Sequence, residues 1–109
     1  MIENEVICII PARGGSKSIL KKNIKKLNNV PLIAYTIKEA LKVFKKNNIV
    51  ISTDDDEIAK ISEKYGCKIF FKRPKRLATD TALSYDVILH GLKFMENYFG
   101  VKYNYIMML

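Results

Sequence analysis

The residues best suited to chemistry lie in the stretch IIPARGGSK, residues 9–17, where two isoleucines run into a proline, an arginine and a glycine pair. Gly14 and Gly15 carry no Cβ, so the backbone there can take unusual angles and approach a ligand closely. Successive amide N–H groups in such a turn attract anions, and Arg13 and Lys17 add positive charge beside them. We therefore predict a loop that binds a triphosphate. By spacing alone, a plain turn behind a strand is an equally good interpretation.

This loop follows neither of two common nucleotide-binding patterns, G-x-x-x-x-G-K-[ST] and G-x-G-x-x-G. The overall charge nevertheless agrees with an anionic partner, because 19 Lys and Arg residues against 11 Asp and Glu residues give the 109-residue chain a formal charge of +8. Such a surface attracts nucleotides, acidic sugars, nucleic acids or anionic lipids. The charge thus indicates a class of partner and no member of it.

Apolar runs that alternate with segments of helical periodicity must position this loop. VICII at 6–10 is typical of a strand buried on both faces, and PLIAYTIKEALKVF at 31–44 repeats apolar residues at helical spacing. Further strands are predicted at 48–53, 67–71 and 103–109, one helix before Gly66, and another from between Thr81 and Ser84 to Gly100. This alternation predicts a parallel α/β sheet, which binds ligands at the carboxyl ends of its strands.

The cysteine and apolar patterns bear on the cellular setting. Cys8 and Cys67 lie in apolar segments without metal-binding spacing, which predicts buried free thiols rather than a disulfide. No apolar run approaches the roughly 18 residues of a membrane span, and the start MIENEV lacks the features of a signal peptide. We therefore expect a cytoplasmic protein without a membrane partner, its residues 1–109 belonging to a single domain.

Four ordered segments, IIPARGGSK, KKNIKKLNNVPLIAYTI, VISTDDDEIAKISEKYG and KRPKRLATDTALSYDVILHGL, together resemble the acylneuraminate cytidylyltransferases. The resemblance covers nearly the whole chain. It implies a Rossmann-like, three-layer α/β domain of the nucleotide-diphospho-sugar transferase type. It also implies a reaction in which the anomeric hydroxyl of a sialic acid or related nonulosonic acid, an acidic nine-carbon sugar, attacks the α-phosphate of CTP and pyrophosphate leaves.

The resemblance also implies roles for individual residues. The family's phosphate-binding arginine matches Arg13, and the lysine of its K-N pair matches Lys22, so these two are the expected catalytic residues. Both would place positive charge where phosphoryl transfer develops negative charge. The groups that read the cytosine match Asn23, Arg73 and Ser84. The full expected nucleotide site is Ala12, Arg13, Gly14, Gly15, Ser16, Lys17, Lys22, Asn23, Arg73 and Ser84.

Simpler interpretations compete for some of these positions. Thr81 or Ser84 is an ordinary helix N-cap residue, and Ser84 is able to combine that role with base recognition. The acids at 54–56 are better explained by a helix N-terminus, which favours negative charge, than by a metal site. His90 lies among apolar residues of a helix, which favours packing over catalysis.

The chain departs from the family pattern in two ways. Ser18 and Leu20 stand where the family's K-G-[IL]-P loop has glycine and proline. The chain also stops at Leu109, before the family's Q-P-T-S-P-L-R segment, its metal-binding acids and its dimerisation element. We therefore expect the N-terminal half of a domain, cut after about four strands, with Mg²⁺ bound by the missing half, no metal ligands in this chain, and a homodimer at full length.

Two alternatives to this function stay open. One is a cytidylyltransferase for 3-deoxy-octulosonate, whose loop resembles I-P-A-R-x-x-S-x-R-L and lacks the KKN context found here. The other is a basic module that binds nucleic acid, which rests on charge alone because no recognised nucleic-acid motif occurs. We expect no nucleic-acid partner.

Overall fold

The computed structural model describes residues 6–15 and 25–109, which form a small sheet, a hairpin and three helices. Two single 3-10 turns lie at Lys46–Asn48 and Lys75–Leu77. The elements are, in chain order, β1 (Val6–Pro11), β2 (Lys26–Leu27), β3 (Val30–Pro31), α1 (Leu32–Val43), β4 (Ile49–Ser52), α2 (Asp56–Lys64), α3 (Ser84–Phe99) and β5 (Tyr105–Met108).

The sheet is parallel and has the order β4-β1-β5. β1 is therefore the central strand, which agrees with its unbroken apolar sequence. Its last residue, Pro11, lies opposite Ser52, the last residue of β4. The carboxyl ends of these two strands thus meet at one edge, as the predicted parallel α/β fold requires, and that prediction is confirmed.

Alternate residues of β1 point to opposite faces of the sheet, and different helices cover the two faces. Cys8 and Ile10 belong to a core with Ile37 of α1 and Ile58 of α2. Ile7 and Ile9 belong to a second core with Met95 of α3. The expected three layers are therefore present, with α1 and α2 on one side and α3 on the other.

The helix termini follow local sequence signals. Asp55 caps α2 by accepting a hydrogen bond from the Ile58 N–H at 3.0 Å, and Asp56 and Glu57 occupy the first turn. α3 ends at Gly100, whose φ of 66° is the left-handed conformation that favours glycine. The expectation that Thr81 or Ser84 caps α3 is wrong, because the N-cap residue is Leu83 and no side chain caps the helix there.

The predicted strand at 67–71 is absent from the structure. Cys67 and Phe71 are buried, so the segment does pack against the core, but residues 67–71 lie outside every strand. Two residues further on, the Arg73 N–H donates to the carbonyl of Thr53, just beyond the end of β4, at 2.7 Å. A strand needs a ladder of backbone hydrogen bonds, and apolar composition does not ensure one. Within the described residues the parallel sheet has three strands, against about four expected.

The hairpin of β2 and β3 was not predicted, since two-residue strands leave almost no periodic signal. Asn28 and Asn29 connect them with φ angles of 53° and 64°. Two consecutive positive φ angles are typical of the tight type I′ turn, which asparagine tolerates better than most residues.

β5 lies at an edge of the sheet formed by the described residues, and all four of its residues are exposed.

None of the helices among the described residues is long and apolar enough to span a bilayer.

Both cysteines are free and fully buried, as predicted. Burial raises the pKa of the Cys8 thiol to about 11, and the nearby Cys67 adds to the rise. At pH 8 only about one Cys8 thiol in a thousand is then ionised, and thiolate is the reactive form.

We expect the folded protein to resist alkylation by iodoacetamide at pH 8 at both cysteines, since both thiols are buried and both pKa values are raised. Mass spectrometry of native and guanidinium-unfolded samples measures this. The unfolded sample should be labelled twice. Rapid labelling of the native protein would contradict the buried placement.

Candidate functional site

A cleft of about 370 Å³ lies at the carboxyl edge of the sheet, where β1 ends and the loop before α3 begins. This size falls within the usual range of small-molecule sites. Charged residues of both signs and several small or polar residues surround it. Its lining residues are Pro11, Arg13, Gly15, Arg73, Leu77, Thr79, Asp80, Ala82, Ser84 and Val87.

The first glycine of the loop is held by an acid from the residues that follow the neighbouring strand, β4. The Gly14 N–H donates to Asp54 Oδ1 at 2.9 Å. A Cβ at Gly14 would lie 2.9 Å from the Asp55 Cβ, closer than real side chains pack. A close approach thus exists at Gly14, but the neighbour is Asp55 of the protein itself, and the expected approach to a phosphate stays a prediction. The amide that we expected to bind phosphate is already hydrogen-bonded to Asp54.

Gly15 differs from Gly14 in its surroundings but not in its backbone, since neither glycine has a positive φ. Its φ is not positive, and among the described residues the atom nearest to an added Cβ is Arg13 Nη1 at 3.9 Å. It does line the cleft. Neither glycine is therefore required for a positive φ, and the expected close approach of a ligand at Gly15 stays a prediction.

Arg73 is a buried charge, only 5% exposed, at the bottom of the cleft. Its Nη2 donates to the Ser52 carbonyl at 2.8 Å and its Nε to the Ser52 hydroxyl at 3.0 Å. Its Nη1 donates to the Leu77 carbonyl at 3.2 Å. Three of the five guanidinium donors are therefore used to tie the 73–77 loop to the end of β4.

Burial lowers the pKa of Arg73 from its ordinary value, while the charge of Asp54 raises it and that of Arg13 lowers it further. Arginine stays protonated under such shifts, so the cleft contains a permanent positive charge. The sequence predicted base recognition at Arg73. The structure adds a role in holding the loop, and two of the five donors have no partner among the described residues.

Arg13 forms an ion pair with Asp80 across the cleft, through Nη2 and Oδ1. The two side chains are 29% and 36% exposed, so the pair lies at the rim and not in the core. Arg13 extends from the residues that follow β1, whereas Asp80 belongs to the loop that precedes α3. The pair therefore joins the two sides of the opening.

The other expected residues fall into two groups. Ser84 lines the cleft, and among the described residues its hydroxyl makes no recorded hydrogen bond. Ala12 is buried at the end of β1, where its N–H extends the sheet by donating to the Ser52 carbonyl at 2.9 Å. Four expected residues lie outside the described residues: Ser16, Lys17, Lys22 and Asn23.

The acids at 54–56 are engaged by protein groups. Asp54 accepts from Gly14, Asp55 caps α2, and Asp56 pairs with Lys72 at 3.0 Å. Within residues 6–15 and 25–109, no three metal-ligating side chains gather into a group suited to a cation. The expectation that this chain supplies no metal ligands stays a prediction.

His90 lies on α3, away from the cleft that contains Arg13. Its ring meets Phe71 edge-on at 4.9 Å, and its Nδ1 is buried without a hydrogen-bond partner in the described chain. Burial lowers the pKa of His90, and the charges of Arg76 and Arg73 lower it further. The imidazole is thus a packed, neutral group near pH 7, as the sequence indicated.

The sequence did not predict the roles of two residues in this site, Asp54 and Asp80. Asp54 was interpreted only as one of several helix-terminal acids. Its place directly after a strand was a usable signal, because parallel neighbours end at the same edge. Asp80 carried no signal, since only the folded chain brings it to Arg13.

The two glycines allow a matched test of this geometry. We expect Gly14→Ala to lower the free energy of unfolding by about 1–3 kcal/mol, because the loop must move away from Asp55. Gly15→Ala should change it by less than about 0.5 kcal/mol. Urea denaturation measures both, and equal effects would show that Gly14 does not pack against Asp55 as described.

Several known proteins are similar to this chain in sequence. Relatives include post-translational flagellin modification protein B of Campylobacter coli, 48% identical over 93% of this chain and 43% of the relative. CMP-N,N'-diacetyllegionaminic acid synthase of Campylobacter jejuni is 47% identical over 87% of this chain and 40% of its own length. The chain thus spans less than half the length of these curated relatives.

A solved structure gives the same fold. CMP:2-keto-3-deoxy-manno-octonic acid synthetase complexed with CTP superposes with a TM-score of 0.68 at 21% identity, over 95% of this chain and 39% of that protein. The sequence profile of the family described as Cytidylyltransferase matches residues 7–97, which is most of the chain. The resemblance inferred from the sequence is confirmed to that extent: this chain belongs to the cytidylyltransferase family.

Proposed function

We propose that this chain forms the nucleotide-binding part of an enzyme that transfers CMP from CTP to a nonulosonic acid. In that reaction a bond forms between the anomeric oxygen of the sugar and the α-phosphorus, and the bond to the β-phosphate oxygen breaks. The proposal rests on the cleft, which two arginines line at the carboxyl edge of a parallel sheet. The chain around it belongs to the cytidylyltransferase family.

The charges of the cleft support a nucleotide triphosphate as its ligand. Arg13 lies at the rim, where a phosphate chain is able to enter, and a planar guanidinium binds phosphate oxygens in pairs. Arg73 lies deeper and is fixed by the end of β4. Fixed positive charge is what phosphoryl transfer mainly requires of a protein.

Base recognition is assigned to the deeper part of the cleft. Arg73 keeps two N–H donors beyond its three recorded bonds, and Ser84 offers a hydroxyl from the first turn of α3. Cytosine presents a carbonyl oxygen and a ring nitrogen that accept such donors. Asn23 and Lys22, with Ser16 and Lys17, are proposed to complete the site on the strength of the sequence resemblance alone.

The relatives favour a nine-carbon acidic sugar as the acceptor. A relative at 47% identity is named for diacetyllegionaminic acid, whereas the protein named for 3-deoxy-manno-octonic acid is only 21% identical and supports the fold alone. The octonic-acid alternative is therefore secondary. Family membership also favours an enzyme over the basic nucleic-acid-binding module.

Mg²⁺ is proposed as the cofactor of the complete enzyme. When bound it would neutralise charge on the phosphates. Its ligands are expected outside residues 1–109, which agrees with the engagement of the acids at 54–56 by protein groups. The homodimeric state and the cytoplasmic location expected from the sequence stay predictions of the same proposal.

We expect CTP to bind more tightly than ATP or GTP, because a site that donates from Arg73 and Ser84 matches the pyrimidine edge. Isothermal titration calorimetry of the three nucleotides under identical salt measures this, with the fold checked by circular dichroism. A buried donor that loses its partner costs about 1–3 kcal/mol, so we expect a gap of at least about fivefold. Equal affinities would remove cytidine recognition from the proposal.

We expect Arg13→Ala to lower turnover by about 10²- to 10³-fold when it is assayed in a full-length context, since one charge-stabilising group is lost. Pyrophosphate release with CTP and a nonulosonic acid is the readout. Arg76→Ala is the matched control, because Arg76 is exposed and lines a different cleft. If both variants turn over at the parent rate within about twofold, Arg13 does not contact the phosphates.

A further inference from the structure

The ion pair between Arg13 and Asp80 occupies the place where an anionic ligand would approach. Both residues line the cleft, and the Asp80 carboxylate contacts the guanidinium directly. A phosphate group that binds Arg13 through the same nitrogen would meet that carboxylate. Two anions cannot share one contact without strong repulsion, so one of them has to leave.

We propose that Asp80 is an internal competitor for the phosphate subsite at Arg13, and that a phosphate ligand binds by displacing its carboxylate. The inference rests on the proposed function of the cleft as a phosphate site. It adds a residue to which the sequence reasoning gave no role. It also gives the loop before α3 two states, one closed on Arg13 and one released by the ligand.

The geometry suits a weak competitor. Both side chains are partly exposed, and ion pairs of that kind change an equilibrium by about fivefold at most. A triphosphate carries several negative charges and accepts paired hydrogen bonds from a guanidinium, so it wins the exchange. The released carboxylate can enter water, because the side chain of Asp80 is already about a third exposed.

Among the described residues, Asp54 is a further acid that acts on the charge of Arg73, and it does not suit this role. Its Oδ1 accepts the Gly14 N–H at 2.9 Å, so its displacement would leave that amide without its partner. Asp80 has no such bond to a backbone amide among the described contacts. The exchange is therefore assigned to Asp80 alone.

The test is calorimetric titration with inorganic tripolyphosphate at fixed ionic strength. We expect Asp80→Asn and Asp80→Ala to bind it about two- to fivefold more tightly than the parent protein. Asp86→Asn is the matched control, since it removes the same charge from the first turn of α3 outside the cleft. It should change the affinity by less than about 1.5-fold, because salt screens exposed charges at that range.

A double variant isolates the contact. In an Arg13→Ala background, Asp80→Asn should not increase the affinity for tripolyphosphate, because the Asp80 carboxylate then has no guanidinium for which to compete. Three outcomes would overturn the inference. Folded Asp80 variants bind tripolyphosphate no more tightly than the parent, Asp86→Asn raises the affinity as much as Asp80→Asn does, or no variant binds. Thermal melting checks that each Asp80 variant is folded. If one of the two does not fold, the other still tests the inference.

The outcome is separable from that of the proposed function. Tripolyphosphate has no base, so a gain for Asp80→Asn stands even if CTP shows no preference over ATP. A clear preference for CTP without any gain for Asp80→Asn would instead keep the proposed function and remove the competitor.

Discussion

The carbonyl oxygen of Ser52 joins the parts of the molecule that make the cleft. It accepts the Ala12 N–H at 2.9 Å, which extends the pairing of β1 with β4 by one residue, and Arg73 Nη2 at 2.8 Å. This one acceptor thus connects the residues after β1, the end of β4 and the 73–77 loop. The sites of Gly14, Arg13 and Leu77 depend on this junction, because each lies within a few residues of one of its three members.

The junction contains a buried charge, which is costly unless its donors are satisfied. Arg73 meets that condition for three of its five donors, through the carbonyls of Ser52 and Leu77 and the Ser52 hydroxyl. Removal of one partner from such a network costs more than the bond itself, since the guanidinium would stay buried. The interaction therefore specifies where the 73–77 loop lies, more than it adds to overall stability.

The charge of the cleft is more balanced than the charge of the chain. The formal excess of +8 belongs to the whole sequence, whereas the cleft region combines Arg13 and Arg73 with Asp80 and Asp54. Each arginine thus has an acid nearby. A ligand anion in this cleft has to compete with protein carboxylates, which favours a highly charged ligand such as a triphosphate over a single carboxylate or phosphate.

The sequence by itself determined the parallel α/β class, the helices and the family. Periodicity marks α1, α2 and α3 because each needs one apolar face, and β1 because both of its faces are buried. The cluster of IIPARGGSK with the segments behind it was specific enough to indicate a cytidylyltransferase. All of these signals are local in the chain or depend on the order of motifs.

Only the tertiary structure decided which groups meet. The segment at 67–71 has the apolar residues of a strand but no ladder, because pairing depends on a neighbour that its own sequence does not specify. Gly14 needs to be glycine because Asp55 packs against it, whereas at Gly15, with the same local sequence signal, the nearest atom of the described residues is Arg13 Nη1, 3.9 Å from an added Cβ. Arg13 meets Asp80 across 67 positions of chain. Such contacts arise from strand order and loop placement, and neither is encoded in the spacing of a motif.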